Sequence, residues 1–138
     1  MTVFVVSTGG TIASTADATG ALVPTLSAAD LVARSGTTRD VRTTDIASLD
    51  SSSLGLAELD HIRSLTSTLL DDDDLAGIVI THGTDSMAET ALALDLVHRD
   101  PRPVVLTGAM RPADHAHPDG PTNLRGAIKA AGTRHGEG

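Results

Sequence analysis

Short apolar segments that alternate with helical patterns place the strongest constraint on the fold of this chain. Leu75–Thr81 reads LAGIVIT, and Thr2–Val6 and Pro103–Thr107 are similarly apolar, which is typical of strands buried on both faces. Val41–Ile46 is expected to be a further strand, because it is rich in β-branched residues. Strands joined by helices form parallel sheets. The sequence therefore predicts an α/β fold: a doubly wound, mainly parallel sheet with helices on both faces.

Helix boundaries follow from capping residues and from the spacing of apolar side chains. Ser27 is the expected N-cap of the first helix, Asp30 places an acidic residue in its first turn, and Gly36 ends it. The second helix is expected to begin at Ser53, because leucines then recur at helical spacing. The third helix is predicted to end at about Val97, and one of its faces then contains Met87, Ala91, Leu94 and Val97. The fourth is predicted to span Thr122–Gly132.

The composition excludes several classes of function. The 138 residues include 10 basic and 18 acidic ones, and the formal net charge of −8 repels nucleic-acid phosphates and anionic membrane surfaces. Since there is no cysteine, disulfides, thiolate metal sites and cysteine nucleophiles are excluded; Phe4 is the single aromatic residue. No apolar run reaches the length of a membrane span, and the N-terminus has no signal-peptide pattern. We therefore expect a cytoplasmic protein without nucleic-acid or membrane partners.

A glycine turn that carries a hydroxyl group follows the first predicted strand. It reads TGGTIA at Thr8–Ala13, and its glycines allow backbone N–H groups to approach a ligand closely. A phosphate cradle is one interpretation, but the P-loop lysine and the GxGxxG spacing are both absent. The other interpretations are a purely structural turn, or a nucleophile, Thr11, beside an oxyanion hole.

A second polar segment, HGTDS at His82–Ser86, follows the strand Leu75–Thr81. Asp85 beside Thr84 places a carboxylate next to a hydroxyl at the end of a strand, where the pair can orient a water molecule or bind an ammonium group. The same residue types also cap helices, so a helix cap is the alternative. His82 is interpreted as a structural histidine, although it could assist proton transfer.

Asp114, His115, His117 and Asp119 lie in a proline-containing loop after the last predicted strand. These residue types bind metals, yet one such loop makes a poor tetrahedral site, and no second ligand segment is evident. We interpret the segment as a surface loop and expect no metal. The acidic run Asp71–Asp74 is interpreted as a solvated loop, because it lacks the oxygen spacing of a calcium loop.

Two segments together resemble the two signature motifs of the bacterial-type L-asparaginase family. They read STGGTIAST at Ser7–Thr15 and ITHGTDSMAETA at Ile80–Ala91, each at a predicted strand-to-helix turn. VVLTGAMRP at Val104–Pro112 and DGPTNL at Asp119–Leu124 are also similar to that family, in the same order and at similar intervals. The resemblance extends over essentially the whole chain.

The resemblance implies a threonine amidohydrolase that converts L-asparagine to L-aspartate and ammonia, with no cofactor. Thr11 matches the nucleophile of the family, and Thr84 and Asp85 match the second catalytic group. Asp85 also matches the position that binds the α-ammonium of the substrate, and Ser48 matches the position that binds its α-carboxylate. Gly83 matches a position that contributes backbone contacts. Thr11, Thr84 and Asp85 are thus the expected catalytic residues; Ser48 and Gly83 join Thr84 and Asp85 in binding asparagine.

The family pattern also includes residues that this sequence lacks. The mobile-loop tyrosine of the family has no counterpart in Ser14–Pro24, and Leu49 stands where glutamine commonly follows the binding serine. The catalytic lysine of the family lies on a later segment, and Lys129 does not match it. We therefore expect residues 1–138 to form an incomplete N-terminal α/β domain of a family that is homo-oligomeric at full length, with the C-terminal domain absent.

Two other interpretations remain open. The chain could be a non-catalytic amino-acid-binding remnant of the same fold, or an unrelated nucleotide-binding domain. Ammonia release from asparagine separates an enzyme from a binding remnant, and aspartate binding separates both from a nucleotide-binding domain. We expect little or no asparaginase activity from the isolated chain, because the lysine and the partner domain are absent.

Overall fold

A four-stranded parallel sheet forms the centre of the protein. The computed structural model describes residues 1–46 and 54–133. The strands are β1 (Thr2–Ser7), β2 (Ser14–Ala16), β3 (Leu22–Pro24), β4 (Val41–Asp45), β5 (Leu75–Thr81) and β6 (Val104–Thr107). The sheet has the order β4-β1-β5-β6, and all neighbouring strands in it run parallel. The four strands expected from the sequence are confirmed to within one residue at each end.

Helices cover both faces of this sheet, as predicted. They are α1 (Ala28–Ser35), α2 (Leu56–Leu69), α3 (Met87–Val97) and α4 (Gly120–Ala131). Because side chains alternate along a strand, β5 sends Val79 into the core beneath α1 and α4, and Ile78 into the core beneath α2 and α3. Leu31 and Ile128 fill the first of these cores.

Capping explains where α1 begins and ends. The N–H of Asp30 donates to Ser27 Oγ over 3.1 Å, and the N–H of Ser27 donates to Asp30 Oδ2 over 3.0 Å, which completes a capping box. Gly36 ends the helix with φ of 66°, a left-handed conformation that favours glycine. The predicted start of the second helix, Ser53, lies outside the described residues. Within them α2 begins at Leu56, preceded by Gly55 as its N-cap.

Two details of the helix predictions were wrong. The last helix begins at Gly120 rather than Thr122, because Pro121 suits the first turn of a helix, where its missing N–H costs no hydrogen bond. The predicted apolar face of α3 was wrong at Val97, which is 51% exposed, whereas Thr90 and Leu94 are buried. Since α3 is apolar nearly all around, spacing alone could not select its buried face.

An antiparallel hairpin of β2 and β3 interrupts the βα alternation after β1, and the sequence patterns did not predict it. Its strands have only three residues each, too few for a period of two to be recognised. The turn between them is built around Asp17, whose Oδ1 accepts hydrogen bonds from the N–H groups of Thr19 (2.8 Å) and Ala21 (3.1 Å). Gly20 in this turn has φ of 85°.

Within residues 1–46 and 54–133, no helix is both long and apolar enough to cross a membrane.

Candidate active site

The candidate site lies where β1, β5 and β6 end side by side. Ser7 of β1 is in register with Thr81 of β5, and Thr81 is in register with Thr107 of β6. The three polar segments singled out in the sequence therefore leave one edge of the sheet together. In open parallel sheets, ligands bind at this carboxyl edge.

The turn after β1 packs directly against the turn after β5. Gly9 and Gly10 have φ of 92° and 82°, conformations that other residues rarely adopt. A Cβ on Gly10 would lie 2.7 Å from the backbone nitrogen of Gly83, so a side chain there would force the two turns apart. Thr11 follows as the first residue of a short 3₁₀ turn, and buried Ile12 and Ala13 anchor that turn in the core.

Further hydrogen bonds fasten the first two segments together. The N–H and the Oγ1 of Thr8 both donate to the carbonyl oxygen of Thr81, over 3.1 and 2.9 Å. Beyond this junction Gly83 is buried, Thr11 is half-buried, and Thr84 and Asp85 are exposed to solvent. The structure thus brings the Thr11 turn and the Thr84–Asp85 segment to one surface, through the contact of Gly10 with Gly83.

His82 has hydrogen-bond partners for both ring nitrogens inside the protein. The ring is 1% exposed, its Nδ1 lies 2.7 Å from the carbonyl oxygen of Gly83, and its Nε2 lies 3.0 Å from Thr90 Oγ1. Because buried polar atoms are costly without partners, these bonds account for a histidine in the core beneath α3. This geometry agrees with a structural histidine rather than a proton carrier open to substrate.

The third segment, at the end of β6, is held by the side chains of Asp119 and Asn123. The sequence analysis did not predict that these side chains bind backbone groups. Asp119 accepts hydrogen bonds from the N–H groups of Met110 and Arg111, both over 2.9 Å. Asn123 Nδ2 donates to the carbonyl oxygen of Gly108 over 3.0 Å. The bond from the Met110 N–H lowers the pKa of Asp119 below its usual value of 3.8. An aspartate just before Gly-Pro, the expected N-cap position of a helix, was the sequence signal that could have separated Asp119 from the metal-ligand candidates.

Other metal-ligand candidates in that loop also accept hydrogen bonds from backbone N–H groups. Asp114 Oδ2 accepts a hydrogen bond from the N–H of Ala16 over 2.9 Å, which ties the loop to the β2–β3 hairpin. The N–H of His117 donates to Nδ1 of His115 over 2.9 Å. Among the residues that the structure describes, no group of three or more His, Cys, Asp or Glu side chains could hold a metal ion.

Ser48 and Leu49 lie outside the described residues. Lys129 is exposed in the last turn of α4, whereas the site lies at the opposite end of the sheet, near the first turn of that helix. The neighbouring carbonyl of Ala131 abuts Gly77, near the start of β5, which places this end of α4 away from the carboxyl edge. The structure therefore does not bring Lys129 to the Thr11 and Thr84 turns.

Comparisons with known proteins agree on one family. Residues 2–138 match the family model described as asparaginase, N-terminal. The chain is 35% identical to L-asparaginase 2 of Bacillus subtilis, with 97% of this chain and 38% of that protein covered. It is 40% identical to an L-asparaginase of Thermococcus kodakarensis, with 95% and 40% covered. An unrelated nucleotide-binding domain is therefore the wrong interpretation.

Solved structures show the same similarity. The thermostable L-asparaginase of Thermococcus kodakarensis superposes with a TM-score of 0.84 at 38% identity, covering 95% of this chain and 40% of that one. A probable cytoplasmic L-asparaginase of Campylobacter jejuni superposes with a TM-score of 0.81 at 34% identity, covering 96% and 40%. The chain spans about two fifths of the length of these relatives.

Proposed function

Because the chain belongs to the asparaginase family, we propose that it supplies the N-terminal domain of an amidohydrolase that converts L-asparagine to L-aspartate and ammonia. The observation that supports the proposal is the close contact of Gly10 with Gly83, because these two glycines immediately precede Thr11 and Thr84. The domain boundaries, residues 1–138, and the need for a further domain are part of this proposal, since the relatives are more than twice as long.

In the proposed reaction, Thr11 Oγ1 attacks the carbon of the substrate side-chain amide, and its proton passes to the departing nitrogen. Ammonia leaves, an ester of Thr11 remains, and water hydrolyses that ester to aspartate and free Thr11. Negative charge develops on the amide oxygen during both steps. Backbone N–H groups of the two turns, at Thr11 and Thr84, are the proposed donors to that oxygen, because neither has an acceptor among the described residues.

Charge complementarity gives the substrate its proposed orientation. The carboxylate of Asp85 would bind the α-ammonium group, and Gly83 would contribute backbone contacts beside it. Ser48 is the proposed partner of the α-carboxylate. Thr84 and Asp85 are proposed to serve both binding and catalysis.

A non-catalytic amino-acid-binding domain is the second candidate function. The position of Lys129 favours it, because the one lysine of the chain lies at the far end of α4 from the proposed nucleophile. Such a domain would keep the Asp85 site and lack turnover.

Two measurements on the purified 138-residue chain test the proposal. Calorimetry with L-aspartate should detect binding that Asp85→Asn weakens at least tenfold, whereas Asp95→Asn, on the exposed side of α3, should leave it unchanged. Absence of binding to the unaltered chain would contradict both candidate functions.

Ammonia release from L-asparagine decides between the two candidates. We expect little or no release from this chain alone, and release from a version extended by the remaining domain of a relative. Thr11→Ala should abolish release in the extended version while aspartate binding persists, whereas the exposed Thr122→Ala control should retain full activity. Normal turnover by Thr11→Ala would refute the nucleophile assignment.

We also propose that the protein is cytoplasmic and that its full-length form is a homo-oligomer. The Campylobacter jejuni neighbour, described as a probable cytoplasmic L-asparaginase, supports the location. Cell fractionation and analytical ultracentrifugation test these two statements.

A further inference from the structure

We propose that His82, held by Thr90, is a positioning residue that aims the backbone N–H of Thr84 toward the reacting amide oxygen. The inference rests on the proposed function, because it assigns the origin of one oxyanion donor. Two buried polar residues motivate it: His82 and Thr90, which is 0% exposed, lie directly beneath an exposed turn. Apolar side chains would fill the same volume without two buried polar groups to satisfy.

The partners of the ring define its protonation. A carbonyl oxygen only accepts hydrogen bonds, so Nδ1 must carry the hydrogen in its 2.7 Å contact with Gly83 O. In the neutral ring Nε2 is then an acceptor, and Thr90 Oγ1 donates to it over 3.0 Å. The Gly83 carbonyl thus selects the tautomer, and Thr90 holds the orientation of the imidazole that donates to Gly83.

Peptide geometry carries this orientation to the surface. The Gly83–Thr84 peptide is trans, so its C=O and its N–H point in opposite directions. Since the oxygen is directed inward to the His82 ring, the Thr84 N–H is directed away from that ring, and Thr84 itself is exposed. Without the ring, a peptide that follows a glycine rotates easily. Rotation would turn a carbonyl oxygen toward the developing negative charge.

The backbone before Gly83 and the backbone after it are held by different contacts. Gly10 packs against the backbone of Gly83 and of His82, so the backbone on the other side of Gly83 is already fixed. The hydrogen bond from His82 restrains the peptide after Gly83. The proposed role also accounts for a polar residue, Thr90, on the buried side of α3, where the other buried residue is Leu94.

Removal of one hydroxyl tests the proposal. Thr90→Val keeps the shape of the side chain and removes the donor to Nε2, and Thr90→Ser restores a donor. The full 138-residue chain is labelled with ¹⁵N, and NMR reads the tautomer of His82, the amide shift of Thr84 and the binding of L-aspartate. Thermal unfolding of each variant is recorded alongside.

We expect the unaltered chain and Thr90→Ser to show His82 with hydrogen on Nδ1 and the same Thr84 amide shift. Thr90→Val should move the Thr84 amide shift and weaken aspartate binding about tenfold, the effect of one lost charge-assisted hydrogen bond. An unmoved Thr84 amide in folded Thr90→Val would overturn the proposal. So would equal loss of affinity in Thr90→Ser and Thr90→Val that follows their loss of thermal stability.

A second pair of variants decides the matter if Thr90→Val fails to fold. His82→Asn can place an amide N–H near the position of Nδ1, whereas His82→Ala has no donor. The Asn variant should retain a Thr84 amide shift closer to that of the unaltered chain; equal displacement in both variants contradicts the proposal. Should the unaltered chain bind no aspartate, the proposed function fails, and the Thr84 amide shifts still decide whether His82 positions this peptide.

Discussion

Asp119 links the turn after β6 to the start of α4 through two backbone N–H groups. Because those bonds favour the charged carboxylate, its pKa is lowered, and the stabilisation is present above the usual pKa of 3.8 and lost as the pH falls through the folded value. Asp119→Asn removes the charge and one acceptor, and we expect the free energy of unfolding to fall by about 1 kcal/mol at pH 7.

Urea unfolding of the two proteins at pH 7 and pH 3 measures this effect. The difference between Asp119→Asn and the unaltered chain should shrink at pH 3. Asp95→Asn, an exposed residue of α3, is the matched control and should differ little from the unaltered chain at either pH. A difference that stays constant with pH would contradict the role of the Asp119 charge.

Arg102 is the second residue whose charge organises the backbone. Its guanidinium donates to the carbonyl oxygens of Leu70 and Asp72, at the junction of α2 and β5, and to the carboxylate of Asp100 over 2.7 Å. The hydrogen bond from Arg102 lowers the pKa of Asp100 from 3.8 to about 2. A lysine has no planar group that could reach all three acceptors.

We expect Arg102→Lys to lower the free energy of unfolding by about 1–2 kcal/mol at pH 7, since several partly buried hydrogen bonds are lost. The Asp100 contribution is present above pH 4 and is lost as the pH falls toward its folded pKa of about 2. Chemical unfolding across that range should show the unaltered chain and the variant converging. Arg99→Lys, at a neighbouring exposed arginine, is the control, and a loss equal to that of Arg102→Lys would refute the bridging role.

At the scale of elements, α3 carries leucines on its exposed side as well as on its buried one. Leu94 is 7% exposed and Leu92 is 60% exposed, two residues apart on the same helix. We expect Leu94→Ala to cost about 2–4 kcal/mol of unfolding free energy, and Leu92→Ala less than about 0.5 kcal/mol. Denaturant unfolding of the two variants measures both values. Similar losses would mean that α3 buries a different face.

The elements that could be predicted from sequence are those with one dominant signal. The apolar run of Leu75–Thr81 identified β5 to the residue, and Ser27 with Asp30 identified the start of α1. The face of α3 was missed because its leucines and alanines surround the helix. The β2–β3 hairpin was missed because its strands have three residues each, too few to show a period of two.

Some residues of the candidate site could be predicted from the sequence, and others could not. The Thr11, Thr84 and Asp85 positions follow from short motifs at strand ends, and the topology brings those motifs together. The role of Asp119 could not be assigned from its residue type, because a carboxylate can bind a metal ion or accept hydrogen bonds from backbone N–H groups. Only the fold shows that backbone N–H groups lie within reach. The contact of Gly10 with Gly83 is likewise visible only when β1 and β5 are neighbours.

At the scale of the whole molecule, the strand order gives the four strands two kinds of environment. β1 and β5 have a strand on each side, whereas within residues 1–46 and 54–133 β4 pairs with β1 alone and β6 pairs with β5 alone. The relatives that this chain matches are more than twice its length.

Amide hydrogen exchange tests that order strand by strand. The carbonyls of Pro103, just before β6, and of Thr107 accept hydrogen bonds from the N–H groups of Ile78 and His82, over 2.9 and 2.8 Å. The alternate residues Val104 and Leu106 therefore direct their N–H groups to the outer edge. We expect these two amides to exchange fast, while Val105 and Thr107 are protected. In β5 no such alternation should occur, because both of its edges are paired, and its slowest amides should report global unfolding. Protection of Val104 and Leu106 equal to that of β5 would show that another strand, from this chain or a second copy, covers the edge.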